Sequence, residues 1–305
     1  MVKSTGAGAS AVLAVLLVSS GRSQKPATFQ SLDLVDVDVV VSDRDGHAVS
    51  GLTRDDFEVR EDGKRVDVKT FVAVAADGVT DDDAARSIVI LLDDVGMPPA
   101  TTSSVRAIAG YVATQAGPID ELSVLRFNNR SDEPYGDFRL ALARISEYQA
   151  GAAPFDPLRS AEDVLKLVAN VARRLEPAGR RRKAIVCIGS QRVCNVEEPL
   201  RFAPGSLRRD WVDAVAAAAR ANLSVYAVMA TRGSTPGGGL VDATGGEAFG
   251  SRSDLRPAID RIWEDASHHY LLGYWPATSS KELHSIDVKV ARKGVHVLAR
   301  RQRGN

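Results

Sequence analysis

Along residues 33–41 the chain reads DLVDVDVVV, acidic and apolar positions alternating before they become continuously apolar. This predicts a strand with one face, Leu34 onward, turned to a core. Turn residues Asp43, Arg44, Asp45 and Gly46 follow, then a second extended run from Phe57 to Arg60. Between FEVRE and KRVDVKTF stands Asp62-Gly63, a strong hairpin signal because both central residues of a type I′ turn need positive φ. Residues 30–75 therefore read as a small β unit. Asp43, Asp45 and Gly46 do not form a calcium loop, since an EF-hand needs its glycine sixth and a glutamate twelfth.

A polar, acidic stretch, 76–86, reads as a solvated linker. Beyond it short apolar runs, SIVILLD, LSVLRFN, KAIVCIG and LSVYAVM, alternate with amphipathic segments that predict helices over 103–115, 159–175, 207–221 and 255–267. Strands so continuously apolar are buried on both faces, as crossover helices bury a parallel sheet, so residues 86–267 predict a doubly wound α/β domain. From 268 to 301 the period returns to two in HYLLGYW, SIDVKVA and VHVLARR. These strands and the amino-terminal hairpin are each too few for an independent sheet, which predicts that the two chain ends pair into one sandwich-like unit.

The amino end carries Lys3, an apolar block from Ala11 to Val18, and small residues Ser19, Ser20 and Gly21. That block is too short to span a bilayer, which takes about 20 apolar residues, and predicts a signal peptide over 1–21 with export and no membrane anchor in the mature chain. With 39 basic and 39 acidic side chains in 305 residues, no excess of positive charge favours nucleic acid as a partner. Two cysteines, Cys187 and Cys194, cannot make a four-thiolate zinc site; export permits their pairing, yet a buried core thiol at Cys187 is favoured at least as much.

Ligands of such sheets sit at the carboxyl ends of the strands. Those ends offer Asp93 and Asp94, then Asn128 to Arg130, Ser190 to Arg192, and Ala230 to Arg232. Asp93 is the leading candidate, for a divalent cation or for organising its own loop. Ser190 lies in IGSQR, which lacks the Gly-x-Ser-x-Gly elbow of a hydrolase nucleophile, whichever of His47, His268, His269, His284 and His296 is considered as base. Gly237 to Gly239 lacks the lysine of a P-loop and reads as a surface loop, and Arg180 to Lys183 reads as a solvated basic run.

The stretch IVILLDD resembles the opening of a von Willebrand factor A-type (VWA) domain, and DELSVLRFN, RRKAIVCIGS, NLSVYAVM and LVDATGGEAF resemble its later segments in order. The flanks VDVDVVVSDRDG, GLTRDDFEVREDGK and HYLLGYWP resemble a bacterial secreted subfamily of VWA-related proteins. The resemblance implies a secreted protein-binding or adhesion module whose first strand ends in a metal-holding Asp, matched by Asp93. The rest of that metal pattern is missing: Val95 and Met97 stand where the family has serines, Ser190 where it has an Asp, and Ser160 is the nearest hydroxyl for its threonine. A hard cation such as Mg²⁺ needs oxygen ligands throughout, so Asp93, Asp94, Ser160 and Ser190 read as the remnant of a site with no cofactor expected. The competing readings are an exported hydrolase using Asp93 or Ser190 and a purely structural envelope protein.

Overall fold

The computed structural model describes residues 34–75, 85–128, 136–151, 156–178, 182–199, 203–230, 238–250, 254–277 and 282–304. The leader expected over 1–21 and most of the linker expected over 76–86 lie outside the described residues, as do Asn129, Arg130, Thr231 and Arg232. Four strands come first: β1 (Val35–Ser42), β2 (Phe57–Glu61), β3 (Lys64–Val66) and β4 (Val68–Ala75). The Asp62-Gly63 turn joins β2 to β3, with φ of 50° and 77° at its two residues, as the hairpin signal requires.

An alternating β and α series follows: β5 (Arg86–Leu92), α1 (Thr102–Thr114), β6 (Glu121–Arg126), α2 (Phe138–Glu147), α3 (Pro157–Leu175), β7 (Arg182–Gly189), α4 (Gln191–Cys194), α5 (Gly205–Ala221), β8 (Leu223–Met229), α6 (Gly239–Thr244), β9 (Ala248–Phe249) and α7 (Arg256–Ser267). The five strands form an all-parallel sheet in the order β6-β5-β7-β8-β9. Its two faces bury separate cores. One packs Val89, Ile185 and Val225 against α3 and α5, the other packs Ile90, Val186 and Tyr226 against α1 and α7. Helix α3 starts at Pro157, two residues before the expected start, because proline suits the first helical position and the Asp156 carboxylate accepts the N–H groups of Leu158 and Arg159.

The chain ends in β10 (His268–Tyr274), β11 (His284–Val290), β12 (His296–Ala299) and β13 (Gln302–Arg303). Two antiparallel sheets result, β12-β1-β10-β4 and β13-β11-β2-β3. Each mixes strands from both chain ends, β1 lying between β10 and β12 and β2 between β11 and β3. Between them Val37, Val39, Val41, Phe57, Val59, Tyr270 and Leu272 form a third core. The molecule is thus a mixed α/β protein, a five-stranded parallel sheet with flanking antiparallel sheets.

Two expectations need correction. The basic run is not solvated where it is described, since Arg182 and Lys183 open β7 and are buried. Nor is the acidic face of β1 solvated throughout, since Asp36 is half-buried and Asp38 is buried. Asp38 is 6% exposed and accepts a hydrogen bond from Arg182, whose other nitrogen reaches the Tyr226 hydroxyl at 3.1 Å. The face of β1 opposite the sandwich core therefore lies against the amino end of the parallel sheet. Arg300 strengthens that junction by donating to the Ala219 carbonyl and Asn222, and Arg261 does so by donating to Gly46 and the Ser42 hydroxyl. A buried charge is tolerated only when paired in this way.

Candidate functional site

At the carboxyl end of the parallel sheet the strand order reverses between β5 and β7, which is where open α/β sheets have their ligand crevice. Asp93 follows β5 and Ser190 follows β7, and the structure brings the two together. Asp93 is fully buried. Its Oδ1 accepts the N–H groups of Val95 at 3.1 Å and Gly96 at 2.8 Å, and its Oδ2 accepts the Ser190 N–H at 3.0 Å and the Ser190 hydroxyl at 2.5 Å. A carboxylate has about four lone-pair sites, and all of them face donors of this chain. Asp93 ties the loop after β5 to the loop after β7.

The close packing depends on two glycines. A Cβ on Gly189 would sit 2.2 Å from the Asp93 Cβ, and one on Gly96 would sit 3.0 Å from the Ser190 hydroxyl. Tyr148 adds a third tie, donating its hydroxyl to the Asp93 carbonyl at 2.6 Å, and burial pushes that phenol well above its ordinary pKa. The neighbouring Asp94 turns the other way, as successive residues at a strand end do, and accepts the Asn128 N–H at 2.8 Å. Burial raises its pKa.

The residues do not fit a divalent cation. Asp93 has no free lone pair, while Val95 and Met97 are buried apolar side chains without oxygen. Ser160 is buried in the first turn of α3 and, among the described residues, is not a hydrogen-bond partner of Asp93. No group of three or more His, Cys, Asp or Glu suited to a metal occurs among the described residues. The five histidines sit on other elements: His268 opens β10, 3.6 Å from Glu264, His269 is 3.8 Å from Asp38 at the opposite end of β7, His284 pairs with Asp62, His47 follows the β1 turn and His296 opens β12.

Cys187, in β7, and Cys194, at the end of α4, form a disulfide that fastens the loop carrying Ser190 to its own strand. Gly238 and Gly239 are not simply a loop. Gly239 opens α6 at φ 66° with its backbone against the Val196 carbonyl, where a Cβ would stand 2.4 Å away. Sequence reasoning placed Arg182 in a solvated basic run and considered His269 only as a base for Ser190, and it missed Arg300; a basic side chain next to a fully apolar strand could have flagged the junction role of Arg182. Comparison of the chain with protein-family models gives no match, and comparison with curated proteins gives none.

Proposed function

We propose that this chain is an exported, non-enzymatic protein-binding module, a VWA-type α/β domain whose strand-end carboxylate is bound by its own loops instead of a metal. The observation that carries this reading is the fourfold hydrogen bonding of Asp93. In a domain that resembles VWA, the ligand-facing end of the sheet is thereby fixed without a cation, and recognition falls to the surface that the loops present. The environment of Ser190 supports a role other than catalysis: its hydroxyl is given to Asp93, it is 8% exposed, and no histidine bonds it among the described residues. The Cys187–Cys194 disulfide supports export, because such bonds persist in oxidising compartments. No helix among the described residues is long and apolar enough to cross a membrane.

The test is a crosslinking pull-down with the full chain as bait, from native envelope and medium, in the presence and absence of EDTA. Saturable capture of one protein partner, equal in both arms, is the expected result. Capture that the chelator abolishes would overturn the metal-free reading. Hydrolysis of generic ester, phosphoester or peptide substrates that disappears in Ser190→Ala would overturn the non-enzymatic one. Export is checked by mass spectrometry of the secreted protein, whose first residue is expected between Ser19 and Lys25.

A further inference from the structure

The loop that carries Ser190 is crossed by a covalent bond. Cys187 lies in β7 between Leu91 of β5 and Ala227 of β8, and its disulfide to Cys194 spans a sequence separation of 7. Between the two cysteines stand Gly189, Ser190 and all of α4 but its last residue. The segment is anchored at both limits. At one the Gly189 carbonyl accepts the Ala230 N–H at 2.9 Å, and at the other the Val196 carbonyl accepts the Leu240 N–H at 2.8 Å. An opening of this segment is therefore bounded by the end of β8 on one side and by α6 on the other.

Helix α4 has little internal support. It is a single turn, in which the Cys194 N–H donates to the Ser190 carbonyl at 2.9 Å and the Asn195 N–H to the Gln191 carbonyl at 2.9 Å, and one turn has no stability of its own. Its buried residues are Val193 and Cys194, while Arg192 between Gln191 and Val193 is exposed. Just before this turn Ser190 gives its N–H and its hydroxyl to Asp93 Oδ2, whereas Asp93 Oδ1 is held by Val95 and Gly96 of its own loop. The disulfide and Asp93 Oδ2 thus hold the same few residues. Loosening α4 removes two of the four donors of Asp93 and leaves the other two in place.

We propose that Cys187–Cys194 is a redox latch on the strand-end loops: oxidised, it holds Ser190 against Asp93, and reduced, it lets the segment from Ser190 to Cys194 leave Asp93 while the parallel sheet stays folded. The bond stays closed in an oxidising compartment until a dithiol is supplied. One thiolate of the dithiol attacks Cys194 Sγ, the S–S bond breaks, and its electron pair leaves on Cys187 Sγ, which takes up a proton. The second thiolate attacks the reductant's own sulfur in the mixed disulfide and releases Cys194, which is protonated in turn. Two electrons pass to the protein, the dithiol becomes a cyclic disulfide, and its two protons end on the cysteines. Cys194 is the sulfur attacked because it ends the single turn beside exposed Arg192, whereas Cys187 is enclosed between two strands. Both cysteines are buried, so α4 opens first, and a one-turn segment between fixed limits opens locally. The bearing of the latch on recognition rests on the protein-binding reading above; the release of the loop does not.

The experiment compares the full chain with and without dithiothreitol, in the absence of denaturant, by thiol alkylation and amide hydrogen exchange. Two alkylated thiols are expected in the reduced arm. Exchange at Ser190, Val193 and Cys194 should be faster there by about tenfold or more, since the segment regains the freedom the cross-link removes, with β5 and β8 as protected as before. Cys194→Ala should match the reduced parent and no longer respond to dithiothreitol; if it fails to fold, the two arms of the parent decide. Thiols that alkylate only in denaturant, or unchanged exchange at the three amides of the reduced chain, would overturn the latch. So would protection lost together in β5, β8 and the loop, because the bond would then be a staple of the whole domain. Partner capture is then measured with the oxidised chain and with the reduced, alkylated chain as bait, and is expected to fall several-fold on reduction. Equal capture would overturn the bearing of the latch on recognition, whereas no partner in the oxidised arm would remove the protein-binding reading and leave the latch standing.

Discussion

Asp93 was legible as a strand-end carboxylate, but its role was not, because the role depends on which donors meet it. Gly96 lies in its own loop, whereas Ser190 is 97 residues away. Asp93→Ala would strand four donors, three of them in buried hydrogen bonds, so we expect a loss of roughly 3–5 kcal/mol in urea denaturation. Calorimetry of the parent with Mg²⁺, Mn²⁺ or Ca²⁺ is expected to show no stoichiometric heat. Two buried groups at the junction give opposite pH dependences. Burial pushes Asp265 up to about 7, and although Arg261 Nε lies 3.1 Å away, neither carboxylate oxygen accepts a hydrogen bond among the described residues. Its contribution is full below its unfolded pKa of 3.8 and is lost as pH rises through about 7. Burial pulls His269 down to about 4, so its contribution is full above 6.5 and is lost as pH falls through about 4. Between these limits the two slopes oppose. Asp265→Asn should uncover the histidine, with stability rising from pH 4.5 to pH 6.5 by on the order of 2 kcal/mol more than in the parent. An unchanged difference between variant and parent across that range would count against a native proton on Asp265.

The element scale was the most legible, because unbroken apolar runs mark β5, β7 and β8 whatever surrounds them. Helix α2 escaped for a stated reason: its large apolar residues, Phe138, Leu140 and Leu142, fall at a spacing of two and are exposed, while the residues it buries are Ala141, Arg144 and Ile145. A pattern read by hydrophobicity follows the wrong side of such a helix. Strand β13 has two residues and α6 has six, too short for any period to register. The Thr244-Gly245-Gly246 segment, part of the LVDATGGEAF stretch, is held in a severe geometry. Gly245 takes φ 79°, and a Cβ on Gly246 would lie 1.9 Å from the Val225 carbonyl oxygen in β8. That neighbour is backbone within a buried strand and has no rotamer to change. Gly246→Ala should therefore cost about 3 kcal/mol or more, read as a lower urea midpoint, and should raise exchange in β8 and β9 before β5. A variant as stable as the parent would mean that the β8/β9 approach is looser than it stands.

At the scale of the whole molecule, the switch from helical periods to a period of two at both ends made the β pieces visible, and their small size argued that neither could stand alone. What the sequence could not convey is the division of labour between them, since strands adjacent in sequence, β1 and β2, enter different sheets. The junction was hidden too, because the partners of its central ion pair, Asp38 and Arg182, are 144 positions apart. Deleting residues 270–305 tests how far the amino-terminal strands depend on this arrangement. It removes most of β10 and all of β11, β12 and β13, so β1 loses both neighbours and β2 keeps only the three-residue β3. Val37, Val39 and Val41 would then face water in place of Tyr270 and Leu272, and a two-stranded remnant has too little cover to stay folded. The parallel sheet keeps both of its own cores, formed wholly by residues 85–267 apart from Leu283 and Leu298 at their margins. Hydrogen exchange should therefore lose protection at Val37 to Val41 while β7 retains a slower-exchanging centre at Val186. Retained protection along β1 after the truncation would show that the Arg182 junction alone holds it in place, and the sandwich would then be an accessory to that junction instead of the source of its stability.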